Sequence, residues 1–202
     1  MAMNNLLLRE QLVSLLSERL SQEVTEEVMF QLDAAGKVSQ ILELFRELQE
    51  SSIKLSGVSI EALPDVLHRC DAHTVAPWLD LAIALANVSG AVTLKYLKES
   101  PQILGILETS EHRHHVLSIA LEVADSDSEY AANCAFEFFR KTPELFFADP
   151  NIDLLGWAEV GQELTEWNQV LGIEFFRECP NISGVLPLQE VRSWVTFGTK
   201  LI

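Results

Sequence analysis

The last 125 residues write nearly the same line four times, and that spacing is what most constrains the fold. The line runs Trp78-Leu-Asp-Leu-Ala82-Ile-Ala-Leu85, Val116-Leu-Ser-Ile-Ala120-Leu-Glu-Val123, Trp157-Ala-Glu-Val-Gly161-Gln-Glu-Leu164 and Trp194-Val-Thr-Phe-Gly198-Thr-Lys-Leu201. The leading residues lie 38, 41 and 37 positions apart. Each is followed four residues on by Ala or Gly and seven on by Leu or Val, so large, small and aliphatic positions share one helix face. A helical period near 40 residues is expected of an α-solenoid, where each helix pair buries its apolar face only against its neighbours.

A second line follows the first in three of the units: Leu94-Lys-Tyr96-Leu97-Lys98, Phe136-Glu-Phe138-Phe139-Arg140 and Ile173-Glu-Phe175-Phe176-Arg177. Two adjacent bulky residues precede a base, and a proline follows three residues later (Pro101, Pro143, Pro180). Proline disfavours the α region at the residue before it, so Ser100, Thr142 and Cys179 are expected to end their helices. Breaks at Asn87-Val-Ser-Gly90, Asp125-Ser-Asp-Ser128 and Thr165-Glu-Trp-Asn168 then separate first helices from second helices over 91–99, 129–141 and 169–178. Short turns such as Ile103-Leu104 and Glu144-Leu-Phe146 are expected to cover the seams.

The expected fold is all-α: an α-solenoid of HEAT-like two-helix repeats over 77–202, with three complete repeats and the first helix of a fourth. Residues 1–76 are less regular and read as a helical N-terminal cap or as degenerate repeats. There, apolar stripes predict helices over 6–20 and 38–48, with Ser21 capping a helix to about Leu32 and Gly36 as a stop signal. Residues 51–57 read as a loop, and Ser59-Ile-Glu-Ala-Leu63 as a helix opening just before Pro64. The fourth line stops within eight residues of its start, so the 202 residues read as an N-terminal fragment of a longer protein.

Composition narrows the partners. Thirty acids against 14 bases give a net charge of −16, and phosphate recognition needs clustered Lys and Arg, so nucleic acid and anionic membrane are both disfavoured. No apolar run reaches the length of a membrane span, and the first residues lack a signal-peptide pattern. Cys70, Cys134 and Cys179 are odd in number and scattered, which suits free thiols and a cytoplasmic protein.

Phosphate loops and nucleophile elbows are absent from the sequence. His112-Arg-His114-His115 puts His112 and His115 within reach of one helix face, but no cysteine lies nearby; a solvated helix start explains the cluster without a metal. Asp125-Ser-Asp-Ser128-Glu129 reads as capping. The candidate protein-binding residues are therefore Trp167, which falls outside the Trp register, and the carboxylates Glu159, Glu163, Glu166, Glu174 and Glu178. Trp167 is either an exposed contact anchor or a loop aromatic folded back on its own repeat. The carboxylates form either an acidic binding strip or an ordinary solvated face. Trp78, Trp157 and Trp194 are in register and expected to be structural.

The line Trp-Ala-x-x-Gly-x-x-Leu, followed by a helix ending Phe-Phe-Arg and a proline, resembles the helical-repeat regions of a bacterial adaptor family. Its members, of the nitric-oxide-reductase activation protein and Rubisco-activase adaptor type, carry a C-terminal von Willebrand factor A domain and work with MoxR-type AAA+ ATPases. The resemblance covers 77–202 and is best at 155–180 and 191–201. It implies a non-enzymatic adaptor without a cofactor, docking an ATPase or its substrate complex. The alternatives are a stand-alone HEAT-like scaffold that binds a peptide segment and, from a different class, a helical metalloenzyme using the histidine cluster.

Overall fold

A computed structural model describes residues 2–125 and 128–199. Leu201 of the fourth line, and Ser126 and Asp127 of the middle break, lie outside the described residues. The described chain is all-helical, with eleven helices: α1 Ala2–Ser17, α2 Gln22–Ala34, α3 Val38–Ser51, α4 Ile53–Arg69, α5 Val75–Val88, α6 Gly90–Ile106, α7 Ser110–Ala124, α8 Glu129–Ala148, α9 Leu154–Trp167, α10 Gln169–Ser183 and α11 Leu188–Thr199.

Short polar side chains start many of these helices by accepting from free first-turn amides. Ser21 accepts from the Val24 amide (3.4 Å), Ser52 from Leu55 (3.3 Å) and Ser128 from Tyr130 (3.2 Å). Asp153 accepts from Gly156 (2.9 Å), and Asn168 from Val170 (3.0 Å) and Leu171 (3.2 Å). Gly36 stops α2 with a φ of +67°, a left-handed conformation that glycine adopts without penalty.

The chain divides into two compact units, residues 1–114 and 115–202, and the division falls inside α7. The repeat pattern in the sequence places its own boundary at 76/77. In the first unit, α1 packs on α3 and α3 on α5, while α2 packs on α4 and α4 on α6. Consecutive helices α1–α2, α3–α4 and α5–α6 also touch, so pairs stack in two rows. Phe45, Leu48, Leu63, Trp78, Tyr96 and Leu104 are buried between them. In the second unit α8 packs on α10, α9 on α11, and α9 also on α8 and α10. Its centre is aromatic: Phe138, Phe139, Trp157 and Phe176 are all buried.

Three expectations are corrected. The prolines do not end the second helices, because α6, α8 and α10 run through Pro101, Pro143 and Pro180, and α4 runs through Pro64. A helical proline removes one amide and frees the carbonyl four residues earlier. In α10 the carbonyl freed by Pro180 is that of Phe176, and the Cys179 thiol donates to it at 3.1 Å. Thr142, before Pro143, donates its hydroxyl to the Phe138 carbonyl at 2.8 Å. Beyond the prolines, Leu104 and Leu145 are fully buried, so extending α6 and α8 brings apolar burial that offsets the local loss. The supposed trailing turns are thus the last turns of these helices.

Residues 51–57 are likewise not a loop. Only Ser52 interrupts the helices, and Ser56, Gly57 and Ser59 are buried inside α4. Ser59 donates to the Ser56 carbonyl at 2.8 Å, and a Cβ at Gly57 would lie 2.9 Å from Arg19 Nη2. Small residues here make room for a neighbour rather than marking a turn. Third, Trp194 is in register but 70% exposed, not buried; the helix that would cover it has no counterpart in the described residues.

One buried hydroxyl is left without a partner among the described residues: Thr25 Oγ1 in α2. Replacing Thr25 by Val removes an unpaired polar group while keeping the β-branched shape, so stability should rise by about 1 kcal/mol. Calorimetry of Thr25→Val checks this, and a lower unfolding midpoint would show that the hydroxyl is in fact bonded.

Candidate interaction surface

The two recurring lines meet in space. In the first unit, Trp78 on α5 donates its indole N–H to Ser100 Oγ (2.7 Å), and the Tyr96 hydroxyl donates to the Trp78 carbonyl (3.0 Å). Both bonds are buried. Burial pushes the Tyr96 phenol well above its ordinary pKa, which keeps it a neutral donor. In the second unit, Trp157 on α9 stacks on Phe175 of α10, with ring centroids 5.7 Å apart and an interplanar angle of 19°. Tyr96 and Phe175 hold the same position in the second line, and each reaches the Trp of the preceding helix, Tyr96 through the Trp78 backbone carbonyl and Phe175 by stacking on the Trp157 ring.

The small residues of the first line mark the close crossing. A Cβ added at Gly161 would fall inside the envelope of the Phe176 ring. On the facing helix, a Cβ at Gly172 would lie 2.8 Å from the Thr165 Cα. Two glycines thereby bring the α9 and α10 backbones together, and Phe176 is locked edge-on to Phe138 (5.8 Å) and Phe175 (5.8 Å).

The base that closes the second line also has a partner. Glu137 on α8 is buried and accepts from Arg140 Nε (3.0 Å) on its own helix and from Arg177 Nε (3.0 Å) on α10. Arg177 Nη1 further donates to Glu174 Oε1 at 2.6 Å. The hydrogen bond to Glu137 holds the Arg177 guanidinium above its ordinary pKa. The arginines of two successive units therefore converge on one carboxylate. Sequence reasoning passed over Glu137; its signal was the acid recurring beside the aromatic pair, as Glu137 and Glu174.

The six candidate residues occupy two helices. Glu159, Glu163 and Glu166 lie on α9, and Glu174 and Glu178 on α10. Several already have partners: Glu159 pairs with Arg192 of α11, Glu174 with Arg177, and Glu178 accepts from Asn181 (2.6 Å). Glu163 is half-buried and Glu166 exposed. Glu166 borders an open groove of about 390 Å³, together with Glu122, Ser128, Cys134, Gln162 and Thr165. Trp167 is 40% exposed, and its ring lies 3.7 Å from where a Cβ on Gly198 would stand. It therefore rests partly on α11 and partly faces solvent.

The histidine cluster starts α7, where the Thr109 hydroxyl accepts from the His112 amide at 3.1 Å. Among the described residues no group of three His, Cys, Asp or Glu side chains is placed to hold a metal ion. Nearby, Asp71 receives the amides of His73 (2.9 Å) and Thr74 (3.1 Å). Burial alone would raise the Asp71 pKa, but hydrogen bonds from Ser110, Thr74 and His73 bring it below the ordinary carboxylate value. The three cysteines are free. Burial raises all three thiols, Cys179 to about 12, which disfavours the thiolate a nucleophile or metal ligand requires. No described helix is long and apolar enough to cross a membrane.

Compared with protein-family models, curated proteins and solved structures, the chain matches none.

Proposed function

We propose that this chain is a non-enzymatic protein–protein interaction module built as a helical-repeat scaffold, serving as the adaptor part of a larger assembly that links an AAA+ ATPase to its target complex. The observation that carries the scaffold reading is the two-row stacking of helix pairs in the first unit, with the Trp–aromatic pair recurring in the second. A stack of near-equivalent pairs buries apolar surface between neighbours and builds an extended surface on which another protein can bind. On the same reading, residues 1–76 are degenerate pairs of the stack. The strongly acidic balance, −16, suits a partner presenting basic side chains. The ATPase link rests on the resemblance of the repeat lines to the von Willebrand factor A domain adaptors. A stand-alone scaffold holding a peptide segment shares the same surface logic.

Affinity capture from the lysate of its own cell, with the 202-residue chain as bait, tests the adaptor reading. Enrichment of an AAA+ ATPase or of its substrate complex is the expected result. Capture of neither would remove the adaptor assignment. Metal analysis addresses the enzyme alternative: stoichiometric zinc or iron lost in the His112→Ala, His115→Ala variant would replace the interaction reading with a metal site.

A further inference from the structure

Each unit holds a groove at the same place in its order of helices, between the turns of two successive pairs. In the first unit it lies between the α3–α4 turn, with Ser51, Ser52 and Lys54, and the α5–α6 turn, with Ala86, Gly90 and Ala91, and has a volume of about 560 Å³. In the second unit the groove of about 390 Å³ lies between the α7–α8 and α9–α10 turns. Ala86 and Thr165, each eight residues after its Trp, line the two grooves at the same register position. Their chemistry differs. The first groove carries one charge, Lys54. The second carries Glu122, Asp125 and Glu166 and no lysine or arginine, beside the buried Val123, Ala131 and Cys134. Thr165 donates its hydroxyl to the Gly161 carbonyl (2.8 Å), so the Cys134 thiol donates to Thr165 Oγ1 (3.4 Å). These inner polar groups are satisfied, and the carboxylates decide what the groove can hold.

All three carboxylates are exposed, and among the described residues none is in an ion pair. The second unit has no spare base to give them. Its described lysines and arginines are Arg140, Lys141, Arg177 and Arg192, and each is held elsewhere: Arg140 and Arg177 by Glu137, Lys141 by Glu144 and Arg192 by Glu159. Nor do the three acids converge on a point, since no described group of three His, Cys, Asp or Glu side chains is placed to hold a metal ion. Spread around an open groove with apolar residues inside, they suit a larger organic cation. Its methylenes can cover Val123 and Ala131 while its charged head reaches the rim.

We infer that the groove between the α7–α8 and α9–α10 turns is a docking site for an arginine-bearing segment of a partner protein. The planar guanidinium presents several donors at once and so can engage more than one rim carboxylate, which a lysine ammonium does less well. Charge complementarity favours this occupant over a second copy of the chain, because two molecules at −16 repel. The inference deepens the interaction-module reading and rests on it.

The test titrates the full chain into a fluorescein-labelled peptide, Gly-Ser-Arg-Ala-Arg-Ser-Gly, and follows anisotropy at low and physiological salt. Saturable binding that weakens as salt rises is expected. Citrulline in place of both arginines should abolish it, because citrulline keeps the shape and removes the charge. Glu122→Gln combined with Glu166→Gln should weaken binding about fivefold or more, as for two exposed pairs. Glu43→Gln combined with Glu190→Gln removes the same net charge at exposed positions outside the groove and should change it less than about twofold. Unchanged unfolding midpoints would establish that both double variants are folded. Absence of saturable binding, or equal weakening by the two double variants, overturns the site. Spermidine binding at the groove more tightly than the peptide also overturns it, assigning the groove to a small polyamine. Sedimentation of the chain alone as a dimer that the groove variant dissociates does the same in favour of a second copy. If lysate capture survives the groove variant while the peptide fails, the site falls and the module reading stands.

Discussion

Replacing Gly161 by alanine should lower the thermal midpoint of unfolding, although glycine to alanine within a helix ordinarily gains about 1 kcal/mol. The reason is the neighbour. A Cβ at this position would enter the Phe176 ring, and Phe176 is fully buried and held edge-on by Phe138 and Phe175, so it has no free direction in which to yield. Overpacking a close-packed core costs about 1–3 kcal/mol. Alanine should therefore come out destabilising by roughly 1 kcal/mol net. Leucine should reach about 3 kcal/mol, a fall in midpoint on the order of 10 °C for a unit of this size. Ala120→Leu, at the same register position and fully buried, should follow the leucine result. A double variant Gly161→Ala, Phe176→Leu gives the control, because a smaller side chain opposite the new methyl should make the two costs less than additive. If Gly161→Ala raised the midpoint, helix propensity would have won and the close approach of α9 and α10 would be wrong.

The second large effect concerns Glu137 and is asymmetric. Glu137 is buried, with its side chain 9% exposed, while the side chains of Arg140 and Arg177 are 39% and 42% exposed. Removing the acid by Glu137→Gln frees two guanidinium groups that reach water, so the loss should stay near 1–2 kcal/mol. Removing one arginine leaves the carboxylate with the other, and Arg140→Met or Arg177→Met alone should cost about 1 kcal/mol. Removing both strands a buried carboxylate without a cation, and the double variant should lose about 3–5 kcal/mol. Denaturant unfolding of the four variants measures this, and the diagnostic is an interaction energy that makes the pair worse than the sum. Additive losses would mean that Glu137 is solvated well enough to stand alone.

The all-helical class, the aromatic pair and the starts of helices such as α2, α8 and α10 were legible in the sequence because they rest on local chemistry. Ser21, Ser128 and Asn168 cap helices in any context, and Tyr96, Phe138 and Phe175 hold fixed offsets from their neighbours. What was illegible depends on what lies across the helix. Pro101, Pro143 and Pro180 look like stops when only the backbone is considered; whether a helix continues depends on the burial of Leu104 and Leu145 and on donors such as Cys179. Ser56, Gly57 and Ser59 look like a loop until Arg19 needs the space they leave. The site was less legible still. A row of carboxylates at 159, 163, 166, 174 and 178 invites a single strip, yet Arg192, Arg177 and Asn181 engage three of them. Trp194 shares its register with Trp78 and Trp157, and register alone gives a residue's face without telling whether a neighbour covers it.

The central claim is that helices paired along the recurring lines bury Trp78 and Trp157, while Trp194 of the same register is exposed and Trp167 is partly exposed. Fluorine NMR of the full chain labelled with 5-fluorotryptophan, with resonances assigned by single Trp→Phe changes, tests it most directly. A soluble paramagnetic agent should broaden Trp194 strongly and Trp167 partly, and leave Trp78 and Trp157 sharp. A protected Trp194 in the free chain, or a broadened Trp157, would contradict the account.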